Sequence, residues 1–156
     1  MKKKFGPSQS FRDSCRDAFL VLVVLMVFGF SAAAEEKSYG TISCSEIVSV
    51  YDGDTFTVNI DGWPDIIGKR VGVRIFGIDT PEMTDDRPEM RKLARDAKMF
   101  AYKRLSKAKK IELMNIMRDK YFRIVADVYV DGVRLGDELI KMGLAKKYDG
   151  GTKEGW

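Results

Sequence analysis

The chain has 156 residues, enough for one domain, with 27 Lys and Arg, 23 Asp and Glu, and no histidine. The missing imidazole excludes Ser-His-Asp hydrolysis, Cys-His proteolysis, zinc sites built on His and any histidine base. Proton transfer must fall to Asp, Glu, Lys, Tyr or metal-bound water. Residues 1–34 carry five of the basic and two of the acidic residues, so the remaining 22 and 21 leave a net charge of about +1 and a polyanion must be met by local basic clusters.

The N-terminal stretch reads as a leader. Lys2, Lys3 and Lys4 are followed by an unbroken run of thirteen apolar or small residues, Ala18 to Phe30, and then by Ser31-Ala32-Ala33-Ala34. This is the layout of a secretory signal cleaved after Ala34, giving a domain over 35–156 and a secreted or periplasmic product. The run is short for a spanning helix, which needs about twenty residues. The alternative is an uncleaved anchor, which is the one route to a membrane partner and would hold the domain outside the cytoplasm. Cys15 would leave with the leader, so Cys44 would be alone and no internal disulfide is expected.

From Thr41 the chain reads as β. Ile42 to Tyr51 forms the first predicted strand, Asp52-Gly53 a tight turn, and Asp54 to Ile60 the second strand. Trp63 to Lys69 is a predicted loop. Arg70 to Ile78 is the third strand, with Val71, Val73 and Ile75 alternating. Helix signals begin near Thr80-Pro81-Glu82 and firm up from Pro88. Leu93, Ala97, Phe100, Ala101, Leu105 and Ala108 then recur at helical spacing as one apolar face. Lys110 to Met117 is a fourth strand, with Ile111, Leu113 and Asn115 on one side and Glu112, Met114 and Ile116 on the other. Tyr121 to Val130 is a fifth. Leu135 to Met142 is a short helix stopped by Gly143, and Tyr148 to Trp156 is loop. Five strands with a helix between the third and fourth is the order of an OB-type Greek-key barrel, in the α+β class.

Three segments carry the chemistry: Asp52-Gly53-Asp54-Thr55, Arg74 to Glu82, and Asp119 to Arg123. Acids that can hold a hard cation, with arginines that fork onto a phosphate, are the parts for metal-assisted phosphodiester cleavage. Each acid also has a plain reading. Asp-Gly is ordinary turn chemistry, and Thr80-Pro81-Glu82 suits the start of a helix. Arg74 is harder to dismiss, since it sits between Val73 and Ile75 and must find a partner or ligand there. Arg123 lies similarly between Phe122 and Ile124. Arg74 and Asp79 are five residues apart, so strict alternation would set them on opposite faces unless Gly77 hosts a bulge.

These segments resemble the staphylococcal nuclease family. The match runs from about Ile47 to Tyr148, through D-G-D-T at 52–55, V-R-I-x-G-I-D-T-P-E at 73–82, D-K-Y-x-R at 119–123 and D-G-x-x-L-x-x-x-L-x-x-x-G-L-A at 131–145. The resemblance implies an OB barrel and hydrolysis of DNA and RNA with little sequence preference, by a monomer. It implies that Asp54 and Asp79 bind Ca²⁺ through carboxylates and Thr80 through its backbone carbonyl, with Asp52 beside the metal. Glu82 would be the general base, and Arg74 and Arg123 the clamp on the reacting phosphate. Lys120 and Tyr121 would contact the nucleotide, with Tyr148 standing in for a base-stacking tyrosine. Phe122 departs from the pattern, which often has glycine before the second arginine. The loop at Met83 to Glu89 departs from it too. A non-catalytic OB module binding nucleic acid or protein is the competing reading, although such modules commonly lose the acids and arginines kept here.

Overall fold

The alternating apolar residues of the central chain line the inside of a curled mixed sheet in the computed structural model. The structure describes residues 39–151 and 155–156, all within one unit, 36–156. The elements are β1 (Ile42–Cys44), β2 (Glu46–Val50), β3 (Thr55–Asn59), α1 (Asp65–Gly68), β4 (Val71–Ile75), β5 (Ile78–Asp79), α2 (Pro88–Ser106), β6 (Ile111–Arg118), β7 (Ile124–Val130), β8 (Val133–Arg134), α3 (Leu135–Lys141) and β9 (Lys146–Lys147). The leader expectation falls on residues outside those described. Among the described residues no helix is long and apolar enough to cross a membrane.

The main sheet runs β1-β6-β7-β4-β3-β2, with β4 and β7 parallel and every other pair antiparallel. Its two end strands, β1 and β2, are consecutive in the chain and separated only by Ser45. The sheet therefore curls back towards itself, as an OB-type barrel requires. The five expected strands and the helix between the third and fourth are all present. The first is bent into β1 and β2 at Ser45, because its two halves pair with opposite ends of the sheet.

Other boundaries moved for local reasons. The third strand stops at Ile75, since Phe76-Gly77 makes a turn with Gly77 at φ +79°. The fourth carries an irregularity between Met114 and Met117, with Asn115 at φ +52°. This shift exposes Asn115 and buries Ile116, the reverse of the alternation read from the sequence. The fifth begins at Ile124, not Tyr121, because 119–122 is a turn. The expected loop at 63–69 contains the single turn α1. Helix α2 starts at Pro88, with proline at its first position, and not at Thr80-Pro81. The Asp85 carboxylate accepts the Arg87 amide at 2.9 Å, which holds the preceding segment as a turn.

The core is built from Phe56, Val58, Val73, Ile75, Leu113, Ile124, Val128 and Val130 of the sheet with Leu135 and Leu139 of α3. Each such side chain contributes about 1.5–3 kcal/mol on burial. Helix α2 presents Ala94, Ala97, Ala101 and Leu105 inward. The alanines let its backbone approach closely, and that closeness shapes the site.

Candidate active site

The Asp52-Gly53-Asp54-Thr55 segment is a turn joining β2 to β3. The amides of Tyr51 and Asp52 donate to the Thr55 carbonyl at 2.9 and 3.3 Å. The Asp54 amide donates to the Asp52 carboxylate at 3.0 Å. Gly53 has no unusual φ. Its role is space, since a Cβ there would lie 2.7 Å from the Ala97 Cβ and 2.8 Å from the Thr80 Cγ2. The turn is pressed between α2 and Thr80, which fixes the height of Asp54.

Asp54 is only 2% exposed. Its Oδ1 accepts from Arg74 Nη1 at 2.6 Å and from the Thr55 hydroxyl at 2.9 Å, and its Oδ2 accepts from the Thr80 amide at 3.1 Å. Despite these donors its carboxyl is pushed up from 3.8 to about 6. Burial is the largest cause and the negative Asp52 adds to it, while Arg74 pulls the other way.

Arg74 also reaches Asp79, with Nη2 donating to Oδ1 at 3.1 Å. The facing problem posed by five-residue spacing is solved by the Phe76-Gly77 turn, which reverses the chain between β4 and β5. Arg74 Nη2 lies 3.4 Å from the Ile78 carbonyl. Asp79 Oδ2 accepts from the indole Nε1 of Trp156 at 3.3 Å. Lys146 caps that ring, with Nζ 4.7 Å from its centroid.

Arg123 is held from its own turn. Its Nε donates to Asp119 Oδ2 at 2.8 Å and its amide to Oδ1 at 3.0 Å. Its stem packs over Gly72 of β4, where a Cβ would come within 3.2 Å of the Arg123 Cγ. Phe122 occupies φ +65°, a region that favours glycine. That is the physical reason glycine suits this position. The Phe122 ring points outward and carries the Arg118 guanidinium 4.0 Å above it.

The sequence-named residues converge. One cleft of about 480 Å³ is lined by Asp52, Arg74, Glu82, Lys120, Tyr121, Arg123 and Tyr148. Arg74 links this cleft to Asp54 and Asp79, which are buried with Thr80. Several residues of the site had no role assigned from the sequence. Tyr51 and Thr55 also line the cleft. Asp119 was visible only as part of a motif, yet it aims Arg123. Trp156, in a segment read as loop, gave no signal of its contact with Asp79.

Among the described residues no group of three or more Asp, Glu, Cys or His side chains forms a metal cage. The donor set nevertheless suits a hard cation in kind. Two carboxylates meet at one guanidinium, a third acid stands beside them, and burial leaves Asp54 short of positive charge. Ca²⁺ completes its shell with waters and carbonyls as well as carboxylates.

The family model described as "Staphylococcal nuclease homologue" matches residues 72–154. The chain is 28% identical over 130 residues to a thermonuclease of Staphylococcus hyicus, covering 80% of this chain and 73% of that one. It is 32% identical over 99 residues to a thermonuclease of Staphylococcus intermedius, covering 63% and 52%. It is 36% identical over 98 residues to endonuclease YncB of Bacillus subtilis, covering 61% and 43%. The chain thus matches about half the length of the last two. The motifs, the barrel topology and the family match agree, and the chain belongs to the staphylococcal nuclease family.

Proposed function

We propose that the protein is a nuclease, a calcium-dependent phosphodiesterase that cleaves DNA and RNA with little sequence preference. The observation that carries this reading is Arg74, which joins the buried Asp54 and Asp79 at a cleft also lined by Glu82 and Arg123.

In this reading Asp54, Asp79 and the Thr80 carbonyl would hold a calcium ion, with Asp52 supporting from the turn. A calcium ion held there would supply positive charge to the site and acidify water. Glu82 accepts a proton from the attacking water. Arg74 and Arg123 donate to the phosphate oxygens as negative charge builds on them, a contribution commonly worth about 10²–10³ in rate for one donor. Arginine suits the task because its fork matches two oxygens. Lys120, Tyr121 and Tyr148 receive the adjoining nucleotide. Contacts of this kind go to phosphate and to base faces, so they read no sequence.

The chain acts as a monomer on this reading, and the leader pattern of residues 1–34 supports export. N-terminal sequencing of the protein recovered outside the cytoplasm should begin at Glu35. A chain beginning at Met1 in the membrane fraction would establish the anchor instead.

The test of the chemistry is cleavage of labelled single-stranded DNA in calcium and in chelator, beside Glu82→Gln. Calcium-dependent cleavage, reduced about 10²–10⁴-fold in the variant, is expected for a general base. Near-normal turnover in Glu82→Gln removes that role, and binding without cleavage in any metal would identify a non-catalytic module.

A further inference from the structure

The cleft does not end at the arginines. A second hollow, of about 270 Å³, opens beyond them and is walled by Ile75, Phe76, Val125 and Asp149. Arg74, Lys120, Tyr121, Arg123 and Tyr148 line both hollows. The two therefore adjoin along a wall that holds both arginines, as two arms of one path. The first arm runs to the β2–β3 turn, where Tyr51 stands with Asp52 and Glu82.

Tyr51 directly follows the end strand β2. It is 68% exposed, yet its backbone is fixed by the turn that orders Asp54. A tyrosine has only two χ angles, so on an ordered backbone its ring loses little freedom when a ligand covers it. Every nucleobase has a π-face that such a ring can meet without reading sequence.

A phosphodiester has a nucleoside on each side. With the phosphate at Arg74 and Arg123, the two nucleosides must leave in different directions, and the path offers one arm for each. We propose that Tyr51 is the base-stacking platform of the arm beside the β2–β3 turn. The protein then grips a nucleoside on both sides of the bond it breaks. This proposal rests on the nuclease reading and extends it.

The test uses substrates with a single phosphodiester, so that the register is fixed. They are dithymidine monophosphate and its two analogues, each with one base replaced by an abasic tetrahydrofuran. Tyr51→Leu should lower kcat/KM on the two-base substrate about 5- to 100-fold. The loss should persist with one analogue and disappear with the one lacking the stacked base, while Tyr51→Phe should behave as wild type. Equal losses on all three substrates, or none on the two-base substrate, would overturn the proposal. If wild type cleaves neither these substrates nor labelled single-stranded DNA in calcium, the nuclease reading fails by itself. The platform is then judged by anisotropy with labelled oligothymidine in chelator, where an unchanged Kd for Tyr51→Leu overturns it and a Kd raised at least 5-fold sustains it.

Discussion

Asp54→Asn should make the metal-free protein more stable while abolishing its response to calcium. The Asp54 carboxyl rises from 3.8 to about 6 in the folded state, first through burial and then through Asp52. Between those pH values the folded protein holds the proton more tightly than the unfolded chain does. Stability from this group is therefore greatest at low pH and falls as pH rises through that window, with the full cost present above about pH 6. At about 1.4 kcal/mol per pH unit, the charged carboxylate costs about 3 kcal/mol at pH 7. Asparagine removes the charge and keeps one acceptor for the Thr80 amide, but its own NH₂ group meets the Arg74 guanidinium. Offsetting that loss leaves a net gain of about 1–2 kcal/mol, or about 4–8 °C in Tm for a domain of this size. The assay is thermal unfolding in chelator at pH 7 and pH 4.5, followed by addition of calcium at pH 7. The gain should shrink at pH 4.5, where Asp54 of wild type is largely protonated. Calcium should raise the Tm of wild type and leave that of the variant unchanged. A variant less stable than wild type at pH 7, or a difference independent of pH, would refute the reasoning.

The other expectations concern geometry. Arg74→Lys and Arg123→Lys keep the charge but lose the fork, and kcat should fall about 10²–10³-fold in each; unchanged turnover in both would remove the bidentate clamp. Gly53→Ala forces a methyl against Ala97 and Thr80, costing about 1–3 kcal/mol, and calcium titration followed by Tm should show weaker binding because Thr80 and Asp54 are displaced together. Phe122→Gly relieves a left-handed backbone worth about 1–2 kcal/mol but gives up chain stiffness and the Arg118 stack. Its stability should stay within about 1 kcal/mol of wild type by urea unfolding, and a loss above about 2 kcal/mol would show that the stack dominates.

The barrel was legible because its evidence is periodic. Val71, Val73 and Ile75 announce a strand wherever it lies, and the alanine-rich face of α2 announces a packed helix. What periodicity could not reveal were the interruptions. Asn115 looks like any polar residue in an alternating run, and only the pairing of β6 with β7 shows that it absorbs a register shift. Ser45 is equally plain in sequence. Its bend follows from closure, because residues on its two sides must join opposite ends of one sheet.

The site was legible by residue type and hidden in its supports, and the difference has one cause. An arginine between valine and isoleucine is costly unless it is paired, so Arg74 advertises a partner from sequence alone. A supporting residue carries no such cost. Gly53 reads as turn chemistry, yet it works by lacking a Cβ where α2 and Thr80 converge. Asp119 reads as a surface acid, yet it orients Arg123 by accepting its backbone amide on Oδ1 and its Nε on Oδ2. Such roles exist only once distant segments meet. The turn at Phe76-Gly77 shows the same logic. Five-residue spacing argued against a shared face for Arg74 and Asp79, and two residues of reversal, with one glycine at positive φ, bring Asp79 onto the guanidinium that already holds Asp54. Chemistry therefore sets which residues the site contains, and the backbone's exceptions to regular geometry set where they meet.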